Sequence, residues 1–335
     1  MRIDRIAAVH ASAAFLALAW LAGCGNGAVN AAKPAAASAS VVNSVDAQDK
    51  APSAQQTGGF DGQKAYDYTA KLVSFGPRPS GSDAIKQTQN YIYSQLHDDG
   101  CEISQDNFHA QTPIGTVPMQ NVVAKVPGSG KNIILLLTHY DTVRYVQDFV
   151  GAEDGGSSTG LMLELARHFC SKTRKPRAVA IWMAFLDGEE AMVDWNKDDD
   201  HTYGSRELAA KMELDGNLQN VKAVVLVDMI GQKHLTMKKE TSSTPWLVDF
   251  IWAEAAKLGY GDVFVSQTTA AEDDHDPFLA KKVPAADLID LDDYIAEGFW
   301  HTAQDTMDKI SPRNLAIVGH VMLASVDGLE TKFSK

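Results

Sequence analysis

The stretch IILLLTHYD, residues 133–141, decides the fold because an unbroken apolar run ends abruptly in ionisable side chains. Two further segments repeat this arrangement: AVAIWMAFL (178–186) precedes DGEE (187–190), and KAVVLV (222–227) precedes Asp228. Continuous runs of Val, Ile and Leu are typical of strands that are buried on both faces of a parallel sheet. Because ligands bind beyond the carboxyl ends of such strands, the three runs predict one site at a shared sheet edge.

Helical periodicity surrounds these strands. It appears in the segments 83–97, 159–170, 204–213, 244–258 and 312–330, and a weaker strand pattern lies near 120–126. No internal repeat and no polar linker divides the chain after Phe60. We therefore predict a single α/β domain at 60–335, with a mixed, mostly parallel central sheet flanked by helices.

The charge of the chain excludes one class of partner. Its 335 residues contain 30 Lys plus Arg against 43 Asp plus Glu, which gives a formal net charge of −13. Nucleic-acid binding depends on basic side chains that displace counterions, and an anionic membrane surface repels a net negative protein. We expect no nucleic-acid partner and no direct adsorption to a membrane.

The N-terminal segment has the features of an export signal. Residues 1–23 place Arg2 and Arg5 before an apolar run at 11–21, which predicts a cleaved signal peptide. The sequence Leu-Ala-Gly-Cys at 21–24 resembles the lipobox of bacterial lipoproteins, and plain cleavage is the alternative. Residues 24–59 are rich in Ala, Ser, Asn, Gln and Gly and predict a disordered tether. The expected product is a monomeric lipoprotein on the periplasmic or extracellular side, attached to the membrane only through Cys24.

Two further cysteines, Cys101 and Cys170, remain after Cys24. Export makes a disulfide chemically permissible, but two cysteines in a sequence do not establish proximity. We expect two unpaired, partly buried thiols.

Ionisable residues follow the predicted strands in unusual number. A lone histidine or aspartate at a strand end is ordinarily a cap or a solvated loop residue. Several carboxylates converging on one edge repel one another unless a cation neutralises them, and zinc accepts nitrogen and oxygen ligands. The candidate cluster consists of His139, Asp141, Asp154, Glu189, Glu190, Asp228, Asp273, Asp274, His275 and His301.

Three local patterns sharpen this hypothesis. Neighbouring side chains at a strand end point in different directions, so one member of Glu189-Glu190 can bind a metal while the other carries protons. The alternative is an acid-rich helix N-terminus. Asp154 precedes two glycines and a helical segment, for which an ordinary N-cap is the alternative. In the polar run 194–201 (DWNKDDDH), Trp195 anchors the loop or faces a ligand, and we expect solvated acids without a metal role at 198–200.

These motifs resemble those of a known superfamily. The resemblance rests on HYD at 139–141, DG at 154–155, EE at 189–190, Asp228 and WHT at 300–302, preceded by GPRPSGS at 76–82. This pattern is similar to that of the zinc exopeptidases, and over 60–335 the chain resembles their glutaminyl cyclase branch. Trp195, Trp300 and the extra acid Asp273 in EDDHDPF (272–278) favour the cyclases over the aminopeptidases.

The resemblance implies a reaction and a set of roles. A glutaminyl cyclase converts the N-terminal glutamine of a peptide or protein to pyroglutamate and releases ammonia. One zinc ion would be bound by Asp154, Glu190 and His301, with Glu189 as the base and acid. The resemblance also implies that Asp228 and Asp273 form an acidic pair that holds the reacting nitrogens. Trp195 and Trp300 would form aromatic walls. The residues implied to lie behind the metal ligands are His139, Asp141 and His275.

Two alternatives and two departures stay open. In a two-zinc aminopeptidase, His139 and Asp228 would hold a second metal with Asp154 as the bridge; a non-catalytic binding protein is the other alternative. Asp287 stands where animal cyclases have a histidine, and the longer segment 290–299 leaves the pocket-wall residue open between Phe299, Tyr294 and Ile295.

Overall fold

The computed structural model describes residues 49–171, 176–197 and 199–334, which all belong to one compact unit. The predicted signal peptide, Cys24, the tether up to residue 48 and Asp198 lie outside the described residues. No helix in the described ranges is long and apolar enough to cross a membrane.

The centre of the unit is a six-stranded sheet accompanied by a two-stranded ribbon. The strands are β1 (Glu102–Thr112), β2 (Gly115–Val126), β3 (Ile133–His139), β4 (Ala180–Leu186), β5 (Val221–Val227), β6 (Met237–Glu240), β7 (Phe264–Thr269) and β8 (Ala285–Leu288). The sheet order is β1-β2-β4-β3-β5-β8, and β6 pairs with β7. β3 is parallel to β4 and β5, and β5 to β8, whereas β2 is antiparallel to β1 and β4. The predicted mixed, mostly parallel sheet is confirmed.

Helices pack on both faces of this sheet. They are α1 (Gly62–Val73), α2 (Asp83–Asp98), α3 (Ser158–Phe169), α4 (Tyr203–Leu214), α5 (Pro245–Lys257), α6 (Asp276–Ala280), α7 (Leu291–Ala296) and α8 (Pro312–Phe333). Successive strand residues point to opposite faces. Ile134 and Leu136 therefore pack with α1, α3 and α8, whereas Leu135 and Leu137 pack with α4.

The five predicted helices are present as α2, α3, α4, α5 and α8. Two begin where the sequence supplies a cap: the hydroxyl of Ser82 accepts the amide of Ile85 at the start of α2, and Ser311 accepts that of Asn314 at the start of α8. Both helices thereby satisfy amides that have no partner within the helix.

The folded part begins earlier than the predicted boundary at Phe60. A short 3₁₀ turn spans Ala54–Thr57, and Thr57 is fully buried. The carbonyl of Asp49 accepts the amide of Arg313 at the start of α8. The last residues of the predicted tether are therefore packed on the domain, because backbone contacts compensate for their lack of large apolar side chains.

The expectation of two unpaired thiols is wrong. Cys101 and Cys170 form a disulfide, with their Cα atoms 5.0 Å apart. Cys101 lies between α2 and β1, and Cys170 follows the last residue of α3. The elements are brought together by the packing of α2 and α3 in the same core, which a spacing of 69 residues in the sequence does not reveal.

Candidate active site

The parallel strands deliver their ionisable residues to one edge, as predicted. His139 ends β3, Glu189 follows β4, and Asp228 follows β5. The Nε2 atom of His139 lies 3.0 Å from Oδ1 of Asp228, and its Nδ1 atom lies 3.7 Å from Oε2 of Glu189. Three separate strand ends thus meet around one buried imidazole.

One group of potential metal ligands consists of Asp154, Glu190 and His301, whose donor atoms lie within 4.8 Å of one another. Nε2 of His301 is 3.4 Å from both Oδ2 of Asp154 and Oε2 of Glu190. His301 has a left-handed backbone, with φ of 49°, which is uncommon for a residue other than glycine. Such backbone strain is found at functional sites, where the surrounding structure enforces it.

The turn that presents Asp154 leaves no space for side chains beside it. Gly155 has φ of 74°, and a Cβ atom there would lie 2.7 Å from the carbonyl oxygen of Asp141 and 2.9 Å from the ring of His139. The carboxylate of Asp305 accepts the amide of Asp154 at 3.2 Å. Asp305, which the sequence analysis did not single out, therefore fixes the turn from behind.

The Asp154–Glu190–His301 group has the properties of a cation site. Both carboxylate oxygens of Glu190 are buried and accept no hydrogen bond. Burial, followed by the charge of Asp154, raises the pKa of Glu190 to about 7. Although burial alone would lower it, the neighbouring carboxylates raise the pKa of His301 to about 10. Two carboxylates and an imidazole are donors that zinc accepts, so these residues fit a zinc ion.

A second group with metal-binding potential shares one member with the first. It consists of His139, Asp154 and Asp228, and all three are buried. His139 is 3.3 Å from Asp154 and 3.0 Å from Asp228 through the same nitrogen. His139 therefore either orients these two carboxylates or joins them as a ligand.

Glu189 lies beside the Asp154–Glu190–His301 group, called the metal group below, and its carboxyl group is suited to proton transfer. Its pKa is raised well above the usual value, first by burial and then by the charges of Glu190 and Asp273. The backbone amides of Glu189 and Glu190 donate to the two oxygens of Asp141, at 3.2 and 3.3 Å. Asp141 thus fixes the pair through its backbone, so the two side chains diverge.

Asp228 and Asp273 are two further buried acids at the same edge. Burial raises the pKa of both, and the charge of Asp228 raises that of Asp273 further. Both shifts favour the protonated forms of these acids, because a buried carboxylate is poorly solvated and is repelled by a neighbouring one. The next residue, Asp274, is also fully buried, and burial raises its pKa to about 7.

These side chains line a cavity of about 260 Å³ with aromatic walls. Trp195 and Trp300 both contribute to it. The Trp300 ring stacks on His301 with ring centroids 4.0 Å apart and is 37% exposed. The remaining wall is apolar and comes from Met229, Ile289 and Leu291.

Three expectations about the surroundings of the site are wrong. The pocket-wall residue is none of the three candidates: Tyr294 is fully buried and donates to Asp305, Phe299 packs on Tyr294, and Ile295 is 46% exposed. The longer segment folds into α7, which turns these side chains away from the cavity.

His275 does not lie behind the metal ligands. Its Nε2 atom is 2.8 Å from the hydroxyl of Ser242 and 3.2 Å from Oε2 of Glu240. It therefore joins the start of α6 to the end of β6.

Asp200 is not a solvated loop residue. It is 2% exposed and accepts the amides of Met192, Val193 and Asp194 and the hydroxyl of Tyr203. Asp199 is exposed, as expected. The aspartate run alone could not distinguish the two, because the difference depends on where the loop returns to α4.

Known proteins resemble this chain over most of its length. The model of Peptidase family M28 matches residues 121–326. A glutaminyl-peptide cyclotransferase-like protein from Bos taurus is 31% identical over 283 residues, which cover 75% of this chain and 73% of the bovine protein.

Solved structures give the same result. An Acidobacteriales bacterium glutaminyl cyclase superposes with a TM-score of 0.76 and 37% identity, covering 82% of this chain and 96% of its own. A Zn-dependent exopeptidase from Parabacteroides distasonis gives 0.71 and 28%, covering 79% and 97%. Because the family model spans more than half of its length, the chain belongs to Peptidase family M28, within which it is similar to glutaminyl cyclases.

Proposed function

We propose that this chain is a zinc-dependent glutaminyl cyclase that converts the N-terminal glutamine of peptides or proteins to pyroglutamate and releases ammonia. The observation that carries the proposal is the small cavity in which buried Asp273 joins Asp228 and Glu189 between two tryptophans. A volume of about 260 Å³ is large enough for one amino-acid side chain. The similarity to bovine and bacterial cyclases supports the same reaction.

Asp154, Glu190 and His301 are the residues that would hold a single zinc ion. A zinc ion bound there supplies a Lewis acid for the γ-carbonyl group of the glutamine. The substrate's own α-amine attacks the carbonyl carbon of the γ-carboxamide, so the new C–N bond forms within one molecule and correct orientation supplies part of the acceleration.

The carboxyl groups then manage the protons. Glu189 in its ionised form accepts a proton from the attacking amine and returns it to the leaving nitrogen as the C–NH₂ bond breaks. The raised pKa of Glu189 makes its carboxylate a stronger base than that of an ordinary glutamate, which suits the first step. The Asp228–Asp273 pair, when it shares one proton, offers an acceptor for the amine and a donor for the amide nitrogen.

A two-zinc aminopeptidase is the second candidate, because His139, Asp154 and Asp228 form the additional group. To distinguish the two, the purified domain is incubated with a Gln-initiated and a Leu-initiated peptide, and the products are weighed. The cyclase proposal expects loss of ammonia from the first peptide and no shortening of either. Release of a free amino acid would identify a peptidase, and no change in either peptide would favour a binding protein.

Metal analysis provides a separate test of the proposed stoichiometry. We expect one tightly held zinc ion per chain. Two zinc ions, of which the second is lost in His139→Ala, would contradict the single-zinc proposal.

We further propose export and lipid attachment at Cys24, with a tether before the folded domain. The Cys101–Cys170 disulfide supports an oxidising compartment, since structural disulfides are rare in reducing ones. Mass spectrometry of the membrane-extracted protein tests the anchor, with diacylglycerol on Cys24 as the expected result. Analytical ultracentrifugation of the domain tests the proposed monomer.

A further inference from the structure

The Trp195 side chain, which forms one wall of the cavity, is held by two residues outside the metal group. Its ring stacks on the imidazole of His201, with centroids 4.2 Å apart and planes inclined by 12°. Its Nε1 atom donates to Oε2 of Glu272 at 3.2 Å. One face and one edge of the indole are thus fixed, and Trp195 also lines the cavity. We refer to Trp195, His201 and Glu272 as the Trp195 clamp.

The two partners also approach each other. Nε2 of His201 lies 3.8 Å from Oε1 of Glu272. His201 does not border the cavity that contains the metal group, whereas Glu272 and its neighbour Asp273 do. His201 therefore reaches that cavity through Trp195, and the clamp connects the tryptophan to the segment that carries Asp273.

Hydrogen bonds hold the backbone of the loop both before and after Trp195. Arg206 donates to the carbonyl oxygen of His201 at 2.8 Å, and the His201 side chain is only 13% exposed. On the other side of Trp195, Asp200 accepts the amides of Val193 and Asp194. In the described part of this loop, these hydrogen bonds fix the backbone of His201 and of the residues before Trp195. The imidazole is therefore held in position against the indole.

The chemistry of the stack suits a supporting role. Burial lowers the pKa of His201, so the ring is neutral at pH 7 and presents a flat, uncharged face. Parallel stacking of two rings contributes stabilisation beyond the burial of their surface. An indole held in this way loses little freedom when a substrate arrives, which favours binding.

We propose that His201 and Glu272 are positioning residues that hold Trp195 against the substrate pocket and thereby set the affinity for the N-terminal glutamine. This proposal rests on the proposed cyclase function and deepens it. His201 contributes through ring stacking, and Glu272 contributes through the hydrogen bond to the indole.

Steady-state kinetics with Gln-initiated peptides test the proposal. His201→Ala removes the stack and is expected to raise KM about 3- to 10-fold with little change in kcat, because it removes binding common to the ground and transition states. His201→Phe keeps a flat ring and is expected to restore KM. Glu272→Gln keeps an acceptor for the indole and is expected to raise KM less than Glu272→Ala does.

A double-mutant cycle tests whether the histidine acts through the tryptophan. His201→Ala in the background of Trp195→Ala is expected to add nothing to the increase in KM, because the stack is already absent. His97→Ala is the matched control, since His97 also stacks on an aromatic ring, that of Tyr93, but lies on α2 outside the cavity. It is expected to leave KM unchanged.

Tryptophan emission provides a readout that does not depend on activity. To obtain the contribution of Trp195, the spectrum of Trp195→Phe is subtracted from that of the wild type. In the same way, the spectrum of the double variant Trp195→Phe, His201→Ala is subtracted from that of His201→Ala. Loss of the stack is expected to shift this contribution to longer wavelength and to increase its quenching by acrylamide. If the wild type shows no cyclisation, the proposed function fails while this measurement still tests the clamp.

Three results would overturn the proposal. They are an unchanged Trp195 emission in His201→Ala, a fall in kcat with KM unchanged, and effects of His201→Ala and Trp195→Ala that add. Each would show that the stack does not position Trp195 for binding.

Discussion

Asp154 is the residue on which both candidate metal groups depend, and its surroundings explain why. His139 of one group lies 3.3 Å from the Asp154 carboxylate, and His301 of the other group lies 3.4 Å from it. Despite burial, these two histidines lower the pKa of Asp154, so it is a carboxylate ready to bind a cation. Asp305 and Gly155 set its direction. A change of the backbone at this turn therefore disturbs either arrangement.

The roles assigned to Glu189 and His301 make opposite predictions. Glu189→Gln removes the proton acceptor but no metal ligand, so we expect zinc content to stay unchanged while kcat falls about 10²- to 10⁴-fold. His301→Ala removes a ligand, so we expect zinc affinity to fall by more than the about 10- to 100-fold typical of residues that only orient ligands. Zinc titration and ammonia release measure the two effects. A fully active Glu189→Gln would disprove the proposed mechanism.

Asp287 is a buried acid whose surroundings oppose ionisation. It is fully buried, and neither carboxylate oxygen accepts a hydrogen bond. Burial, followed by the charges of Asp273 and Asp228, raises its pKa well above the usual value. We expect Asp287→Asn, which has nearly the same shape and no charge, to change the free energy of unfolding by less than about 1 kcal/mol in urea melts at pH 7.

Asp200→Asn is the matched control for this prediction. Asp200 accepts hydrogen bonds on both oxygens, so an amide NH₂ group there faces donors, and we expect a loss of about 2 kcal/mol or more. A comparable loss in Asp287→Asn would mean that Asp287 is ionised and paired.

At the scale of elements, α3 separates the site from the disulfide. Its N-terminal end, Ser158, follows the turn that carries Asp154, whereas Cys170 follows its other end. A helix of 12 residues is about 18 Å long. The disulfide thus stabilises the fold from the end of α3 remote from the metal ligands.

This separation predicts that removing the disulfide affects stability but not chemistry. We expect Cys101→Ser with Cys170→Ser to lower the free energy of unfolding by about 2–4 kcal/mol, since the bridge closes a long loop in the unfolded chain. At a temperature where the variant is folded, we expect kcat and KM within about 2-fold of the wild type, because neither cysteine lines the cavity that contains Glu189 and Asp273. Urea unfolding and peptide cyclisation assays measure the two. A large loss of kcat with unchanged stability would contradict the argument.

The elements that could be predicted are those whose apolar pattern is continuous. β3, β4 and β5 are almost entirely buried, so their side chains reveal both the strands and the edge at which they end. β1 could not be recognised in this way, because most of its side chains are at least partly exposed and it is held mainly by pairing with β2. α1 was missed although its buried residues, Ala65, Tyr68 and Leu72, have helical spacing.

The candidate site follows the same rule. Asp154, Glu190 and His301 belong to short motifs, and the structure brings them together. Asp305 and His201 have no motif, because loops bring them to Asp154 and Trp195, and Ile289 is a single apolar residue directly after the short strand β8. Such contacts depend on tertiary packing, for which a single sequence carries little local signal.

At the scale of the whole molecule, some of the acidic residues that outnumber Lys and Arg are buried, and burial favours their protonated form. Burial raises the pKa of Asp187, Asp274 and Asp290 to about 7 each. In the unfolded chain an aspartate has a pKa of about 3.9. Between these values the folded state binds more protons than the unfolded state, so its stability decreases as the pH rises.

We therefore expect the zinc-free protein to be more stable at pH 5.5 than at pH 8. Each of these acids contributes stability that is fully present below about pH 4 and is lost as the pH rises through about 7. Glu240, whose pKa is lowered by His275 and neighbouring backbone amides despite burial, has the opposite sign, but its contribution is already complete above about pH 5. Urea unfolding of chelator-treated protein at several pH values measures the slope.

Two comparisons make this prediction specific. Asp290→Asn removes one titrating group and is expected to reduce the slope by up to about 1.4 kcal/mol per pH unit over that range. Added zinc is expected to stabilise the protein more at pH 8 than at pH 5.5, because its ligands bind in their deprotonated forms. If the stability of the zinc-free protein rises from pH 5.5 to 8, the buried acids are ionised and compensated by other groups within the fold. The electrostatic argument that this sheet edge needs a cation would then be wrong.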